Sequence, residues 1–234
     1  MCFICEGKYT QEEWEAMTVL DCEYCTSLPE LPAGLTELYC SGCTSLMSLP
    51  ANGPFGLPVG LIWLNCHGCK SLTSLPTLPA GLTTLYCHGC TSLTNFPANG
   101  PFGLPAGLTV LNCWGCTSLT NLPELPVGLN ELDCGRCTSL TSLPELPAGL
   151  TDLDCEGCTS LTNLPALPAG LTVLDCRGCT WLPNSNPKFP ENIRKLIILQ
   201  KVLHKAWYRR YLTKRHYLKR KITSSDLVKL ILSY

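Results

Sequence analysis

The residues most able to do chemistry are cysteines. The 234-residue chain contains 18 of them, arranged as nine C-x-x-C pairs from Cys2/Cys5 to Cys176/Cys179. Neighbouring pairs are often separated by 17 residues, as between Cys137 and Cys155. In isolation that spacing matches a structural zinc site, because two such pairs supply the four thiolates of a tetrahedral ion. A thiol pair can also act as a redox couple. A third reading needs neither metal nor electron transfer: a cysteine at a fixed position of a repeat packs as a small buried hydrophobe.

The surrounding sequence favours the third reading. The unit L-x-x-L-x-C-x-x-C-x-S-L-x-x-L-P-x-L-P-x-G begins at Met17, Leu35, Leu61, Leu82, Leu108, Leu129, Leu150 and Leu171, in steps of 18, 26, 21, 26, 21, 21 and 21 residues. Eight of the nine cysteine pairs recur at the same two positions of this unit; Cys2 and Cys5 lie outside it. Stacked thiols would form a nearly linear ladder one strand spacing apart, about 4.8 Å, which does not converge on one tetrahedral ion. Core packing is therefore expected, with no metal and no cofactor; a zinc- or redox-active C-x-x-C protein is the alternative.

The unit fits the template L-x-x-L-x-L-x-x-N/C-x-L, with the first cysteine in the third apolar position and the second in the N/C position. Over residues 17–183 the chain resembles the short L-P-x-L-P repeats of bacterial type III effectors of the IpaH and YopM kind. It is also similar to repeat proteins of large DNA viruses and to the L-x-x-L-x-L-x-G-C-x-S-L units of plant resistance proteins. The resemblance implies a leucine-rich-repeat solenoid of eight short coils with a parallel β-sheet on its concave face, and an interaction role. Several such effectors carry a C-terminal ubiquitin-ligase domain with a catalytic cysteine. Here no cysteine follows Cys179, so that activity is not carried over.

The physics of the unit leads to the same architecture. Alternation in L-x-x-L-x-C makes a short strand. Proline in L-P-x-L-P removes N–H donors and restricts its neighbours, so this segment should run extended along the convex side. One coil cannot bury its leucines alone, whereas a stack can. The insertion ANGPFG, at 51–56 and 98–103, lengthens two convex loops, and its Phe55 and Phe102 are either loop drift or exposed anchors. Thr10-Gln-Glu-Glu13 reads as a capping box that opens a helix from Gln11 to about Met17, with Trp14 over the first coil.

The predicted domains are a cap (1–16), the solenoid (17–183), a linker (184–189) and a basic helical tail (190–234). Two helices are expected in the tail, about 190–220 and 225–232. Charge divides along the same line. Residues 1–187 hold four basic and 16 acidic side chains, whereas 188–234 hold 13 basic and two acidic. No run of about 18 apolar residues suggests a membrane span, and the N-terminus does not read as a secretory leader. With so many thiols, an intracellular, reducing setting is expected.

The functional residues are expected on strand positions that point out of the arc. Those flanking the first cysteine give two columns, and a third position, two residues before the first of these, holds Trp63. The partner-binding candidates are Tyr39, Trp63, His67, Tyr86, His88 and Trp114, followed by Asp133, Asp154 and Asp175. Exposed aromatics are the usual anchors of protein interfaces, and a row of carboxylates invites a basic partner or cation. In the tail, Lys201, Lys205, Arg209, Arg210, Lys214 and Arg215 interleave with aromatics in a stretch similar to an IQ motif, with His204 where arginine is usual. This tail either caps the solenoid or binds an anionic partner: nucleic acid, membrane surface or an acidic protein such as calmodulin. No P-loop, G-x-S-x-G or H-E-x-x-H is present. The expectation is a non-enzymatic module that binds a host or cellular protein, effector- or adaptor-like, and no small-molecule substrate is evident.

Overall fold

The computed structural model describes residues 7, 9–50, 56–97 and 103–180. Cys2, Cys5, Phe55, Phe102, the linker and the whole basic tail, with its expected helices and basic site residues, lie outside the described residues.

Helix α1 spans Gln11–Glu15 and has the expected capping box: Thr10 Oγ1 accepts from the Glu13 N–H at 3.2 Å, and Glu13 Oε2 accepts from the Thr10 N–H at 2.7 Å. The helix ends about two residues earlier than expected. Trp14 is half-buried and stacks on Tyr9, with ring centroids 4.6 Å apart.

Each repeat then contributes one three-residue strand: β1 (Val19–Asp21), β2 (Glu37–Tyr39), β3 (Trp63–Asn65), β4 (Thr84–Tyr86), β5 (Val110–Asn112), β6 (Glu131–Asp133), β7 (Asp152–Asp154) and β8 (Val173–Asp175). They form one parallel sheet in sequence order. The register never slips, so Leu20, Leu38, Leu64, Leu85, Leu111, Leu132, Leu153 and Leu174 lie side by side. Each is at most 1% exposed, while the residues on either side are more exposed, Thr84, itself buried, being 6% exposed. This is the two-residue alternation of a strand with one face on the core. The register is also kept through the two longer repeats, whose extra residues lie in sequence between the two Leu-Pro (or Phe-Pro) steps of the proline segment.

Between strands the chain turns on Pro-x-Gly-Leu. The Leu61 N–H donates to the Pro58 carbonyl at 3.0 Å, and the same bond recurs from Leu35–Pro32 to Leu171–Pro168. Where described, the L-P-x-L-P segments carry neither helix nor strand, as their missing donors require.

The cysteines build the seam between coils. All sixteen described cysteines are buried and none forms a disulfide. The thiol of each second cysteine donates to the carbonyl of the first cysteine one coil back: Cys69 to Cys40 at 3.1 Å, Cys90 to Cys66 at 3.2 Å, Cys116 to Cys87 at 3.1 Å, Cys137 to Cys113 at 3.1 Å, and Cys158 to Cys134 at 3.0 Å. The backbone N–H of each first cysteine reaches the other way, as from Cys113 to the Asp133 carbonyl at 2.8 Å. Each cysteine pair therefore ties its coil to both neighbours. The thiols of Cys66, Cys87, Cys113 and Cys134 are pushed well above the usual range by the neighbouring thiol of the next coil and by burial. Such thiols stay protonated, and nucleophilic or metal-binding chemistry needs the thiolate.

Replacing Cys137 with alanine removes one thiol donor and opens a small void. Urea titration is expected to show a loss of about 1–2 kcal/mol. An unchanged midpoint would mean that the thiol seam carries no stability.

Candidate functional site

The outward residues of the eight strands line up in columns because the register is constant. Glu37, Trp63, Val110, Glu131 and Asp152 lie on the strand face, whereas the threonines before the strands turn to the backbone: the hydroxyls of Thr36, Thr83 and Thr109 donate to the carbonyls of Thr18, Ile62 and Thr83 at 2.9–3.0 Å.

The structure brings five of the predicted residues into one patch. Tyr39 and Trp63 have centroids 6.4 Å apart, and Trp63 and Tyr86 5.3 Å. Beside them His67 and His88 stack at 4.5 Å with planes 9° apart, and the Tyr86 ring meets His88 edge-on at 6.5 Å. The Tyr39 hydroxyl donates to Glu37 Oε2 at 2.8 Å. Trp63 Nε1 and Nδ1 of both histidines are buried beneath the patch with no partner. Burial, and then the neighbouring His67 ring, hold His88 below the ordinary histidine range, so this imidazole is neutral at physiological pH.

Trp114 stands apart from that patch. The guanidinium of Arg136 lies 5.0 Å above its ring, within cation–π range. The cause is a local swap that sequence reasoning missed. Six coils read C-x-G-C, and their glycine sits at φ between 67° and 72°. The sixth reads Cys134-Gly-Arg-Cys137, and Arg136 takes the left-handed position at φ 54°. Gly135 then leaves room for the tryptophan of the coil before: a methyl there would lie 2.7 Å from Trp114 Cδ1 and 3.0 Å from Asp154 Oδ1. The exchange of Gly and x in one repeat was the available signal.

Asp133, Asp154 and Asp175 form the expected row, and they also hold the backbone. Each accepts an N–H two residues on, from Gly135 at 3.1 Å, Glu156 at 2.8 Å and Arg177 at 3.1 Å. Asn65 and Asn112 do the same for His67 and Trp114. The column is thus partly a turn-forming one, in which a short Asx side chain stands in for a backbone acceptor. Asn112 Nδ2 also donates to Asp133 Oδ2 at 2.9 Å. Burial pushes the Asp133 carboxyl up to about 6 and Asp154 up to about 7, with the neighbouring carboxylates adding to both. Arg177 closes the end of the row. Its Nη2 lies 2.6 Å from Asp175 Oδ2 and 3.0 Å from Glu156 Oε2.

Among the described residues, the carboxylates of Asp154, Glu156 and Asp175 are the group whose oxygens lie within 4.8 Å of one another in the manner of cation ligands, and the cysteines form no such group. Arg177 already neutralises two of the three. No described helix is long and apolar enough to cross a membrane.

One strand per repeat, unbroken register and a thiol seam at the N/C position decide the architecture. The fold is a leucine-rich-repeat solenoid. It is similar to solved structures of YopM from Yersinia enterocolitica WA-314 (30% identity, 66% of this chain and 35% of that one, TM-score 0.47) and of a leucine-rich repeat protein from Eubacterium ventriosum ATCC 27560 (18% identity, 74% and 49%, TM-score 0.49). The match thus spans about a third of the first protein and about half of the second. No family model and no curated protein matches the chain.

Three variants test this reading of the solenoid's strand face. In the folded protein Asp154 holds its proton up to about pH 7, whereas in the unfolded chain it releases it near the ordinary aspartate value of 3.8. The folded state binds the extra proton between those values, so its stability falls as pH rises from about 4 to 7. Asp154→Asn keeps the acceptor oxygen and is expected to stabilise by about 1–2 kcal/mol at pH 8, after allowing for solvent reach, and by little at pH 4. Paired denaturation curves at the two pH values check this. Gly135→Ala should cost about 1–3 kcal/mol through the Trp114 collision. Arg136→Gly relieves a left-handed residue (about 1–2 kcal/mol) and loses a cation–π contact (about 0.5–1 kcal/mol). It should therefore leave stability equal or up to about 1.5 kcal/mol higher.

Proposed function

We propose that this solenoid is a non-enzymatic protein-interaction module, effector- or adaptor-like, that engages a protein partner through its strand face in a reducing, intracellular compartment. One observation carries the reading. The rings of Tyr39, Trp63 and Tyr86, with the His67–His88 stack, form a continuous patch on a sheet face that no described element covers. Large rings on rigid strands supply contact area at low entropic cost, which is how anchors of protein interfaces work. The row Asp133, Asp154 and Asp175 adds a charged flank that steers association. The thiols of Cys66, Cys87, Cys113 and Cys134, pushed up by the neighbouring thiol and by burial, support a structural role for those cysteines.

Site-directed photo-crosslinking tests the proposal. Benzoylphenylalanine replaces Val110, on the strand face, or Val127, in the turn before β6, where it is 88% exposed. A protein adduct is expected in cells from position 110 and not from 127. Trp63→Ala and Trp114→Ala should each reduce its yield at least about 10-fold, as loss of a central anchor does. Equal adducts from both positions, or yields unchanged by both substitutions, overturn the strand-face reading.

A further inference from the structure

The chemistry of the partner can be taken one step further, and this step rests on the strand-face reading. We propose that the face receives a segment bearing arginine side chains, whose guanidinium planes lie on the aromatic rings and whose N–H groups reach the Asp133 and Asp154 carboxylates.

Two of the chain's own arginines already occupy this face in those two ways. The Arg136 guanidinium carbon lies over the Trp114 ring, 5.0 Å from its centroid. Arg177 forks onto carboxylates: its Nε donates to Asp175 Oδ1 at 2.9 Å and Oδ2 at 3.0 Å, and its Nη2 to Asp175 Oδ2 at 2.6 Å and Glu156 Oε2 at 3.0 Å. The strand face therefore has both halves of what a guanidinium recognises, a π-surface and a paired acceptor.

The remaining acceptors have no hydrogen-bonded cation, although Arg177 acts on Asp154 at longer range. The polar partners of Asp133 are the Gly135 N–H and the Asn112 amide, and that of Asp154 is the Glu156 N–H, all of them neutral. Among the described residues Lys70, Arg136 and Arg177 are the only lysine and arginine side chains, against 15 acidic ones. Six of those acids, Glu131, Asp133, Asp152, Asp154, Glu156 and Asp175, belong to the last three coils of the strand face. The complement of this surface is cationic. Its free aromatic faces select arginine over lysine, because an ammonium neither stacks nor forks.

The test uses the full chain and three fluorescent peptides of equal length, alternating Gly-Ser spacers with three arginines, three lysines or three citrullines. Citrulline keeps the planar shape and lacks the charge. Anisotropy at low salt is expected to show saturable binding of the arginine peptide, with the lysine peptide about 3- to 10-fold weaker and the citrulline peptide at least about 10-fold weaker. The double variant Asp133→Asn/Asp154→Asn should weaken the arginine peptide at least about 10-fold. Glu124→Gln/Glu145→Gln, which alters exposed acids between strands, should change it less than about 2-fold. Unfolding midpoints confirm that each variant is folded. Absence of saturable binding, equal binding of the arginine and citrulline peptides, or equal losses from the two double variants overturns the proposal. If the adduct from position 110 persists in Asp133→Asn/Asp154→Asn at full yield, the strand face binds a protein and the arginine assignment falls alone.

Discussion

Every feature of this molecule depends on one constraint: a coil of about 21 residues cannot bury its own leucines and must be covered by the next. The cysteine pair supplies part of the bonding that registers one coil on another, beside the strand ladder and the threonine hydroxyls. The first cysteine sends its backbone N–H forward, and its carbonyl takes a thiol from the coil ahead. A sulfur donor suits this position because it is small, apolar enough for a fully buried site, and still able to satisfy a carbonyl. Repetition of this seam keeps all eight strands in one register, and the register turns isolated outward residues into columns.

Columns have electrostatic consequences. Like residues one strand apart reinforce each other: aromatic rings stack, and carboxylates repel. The first effect produces the His67–His88 stack, while Trp63 meets Tyr39 and Tyr86 at a tilt, diagonally across two columns. The second, together with burial, raises Asp133 and Asp154 toward neutrality. The same aspartates cap the turn after each strand, so the chain keeps them for local structure and carries the electrostatic cost on its surface. Function and fold share these side chains, and a binding partner that relieves the charge acts on groups the scaffold already requires.

The sixth coil departs from the pattern. Arg136 occupies a left-handed position that glycine holds in six other coils, and Gly135 clears the space that Trp114 fills. A strained residue beside an aromatic anchor, at the border between the aromatic and acidic zones, is where backbone energy is exchanged for surface chemistry.

The repeat, the strand positions, the burial of both cysteines and the outward columns could all be derived from residue order, because periodicity dictates which side chains face inward once coils stack. The capping box at Thr10 was legible for the same reason: it is a local bond between residues three apart. The thiol-to-carbonyl seam, the Arg136–Trp114 pair, the Arg177 clamp and the raised Asp133 and Asp154 carboxyls were not. Each joins residues 21 or more positions apart in sequence, or depends on how far a side chain is withdrawn from water. Sequence alone determined which residues share a face; only the stacked structure decided which of them touch, because contact between coils is set by register and rotamer rather than by spacing within a coil.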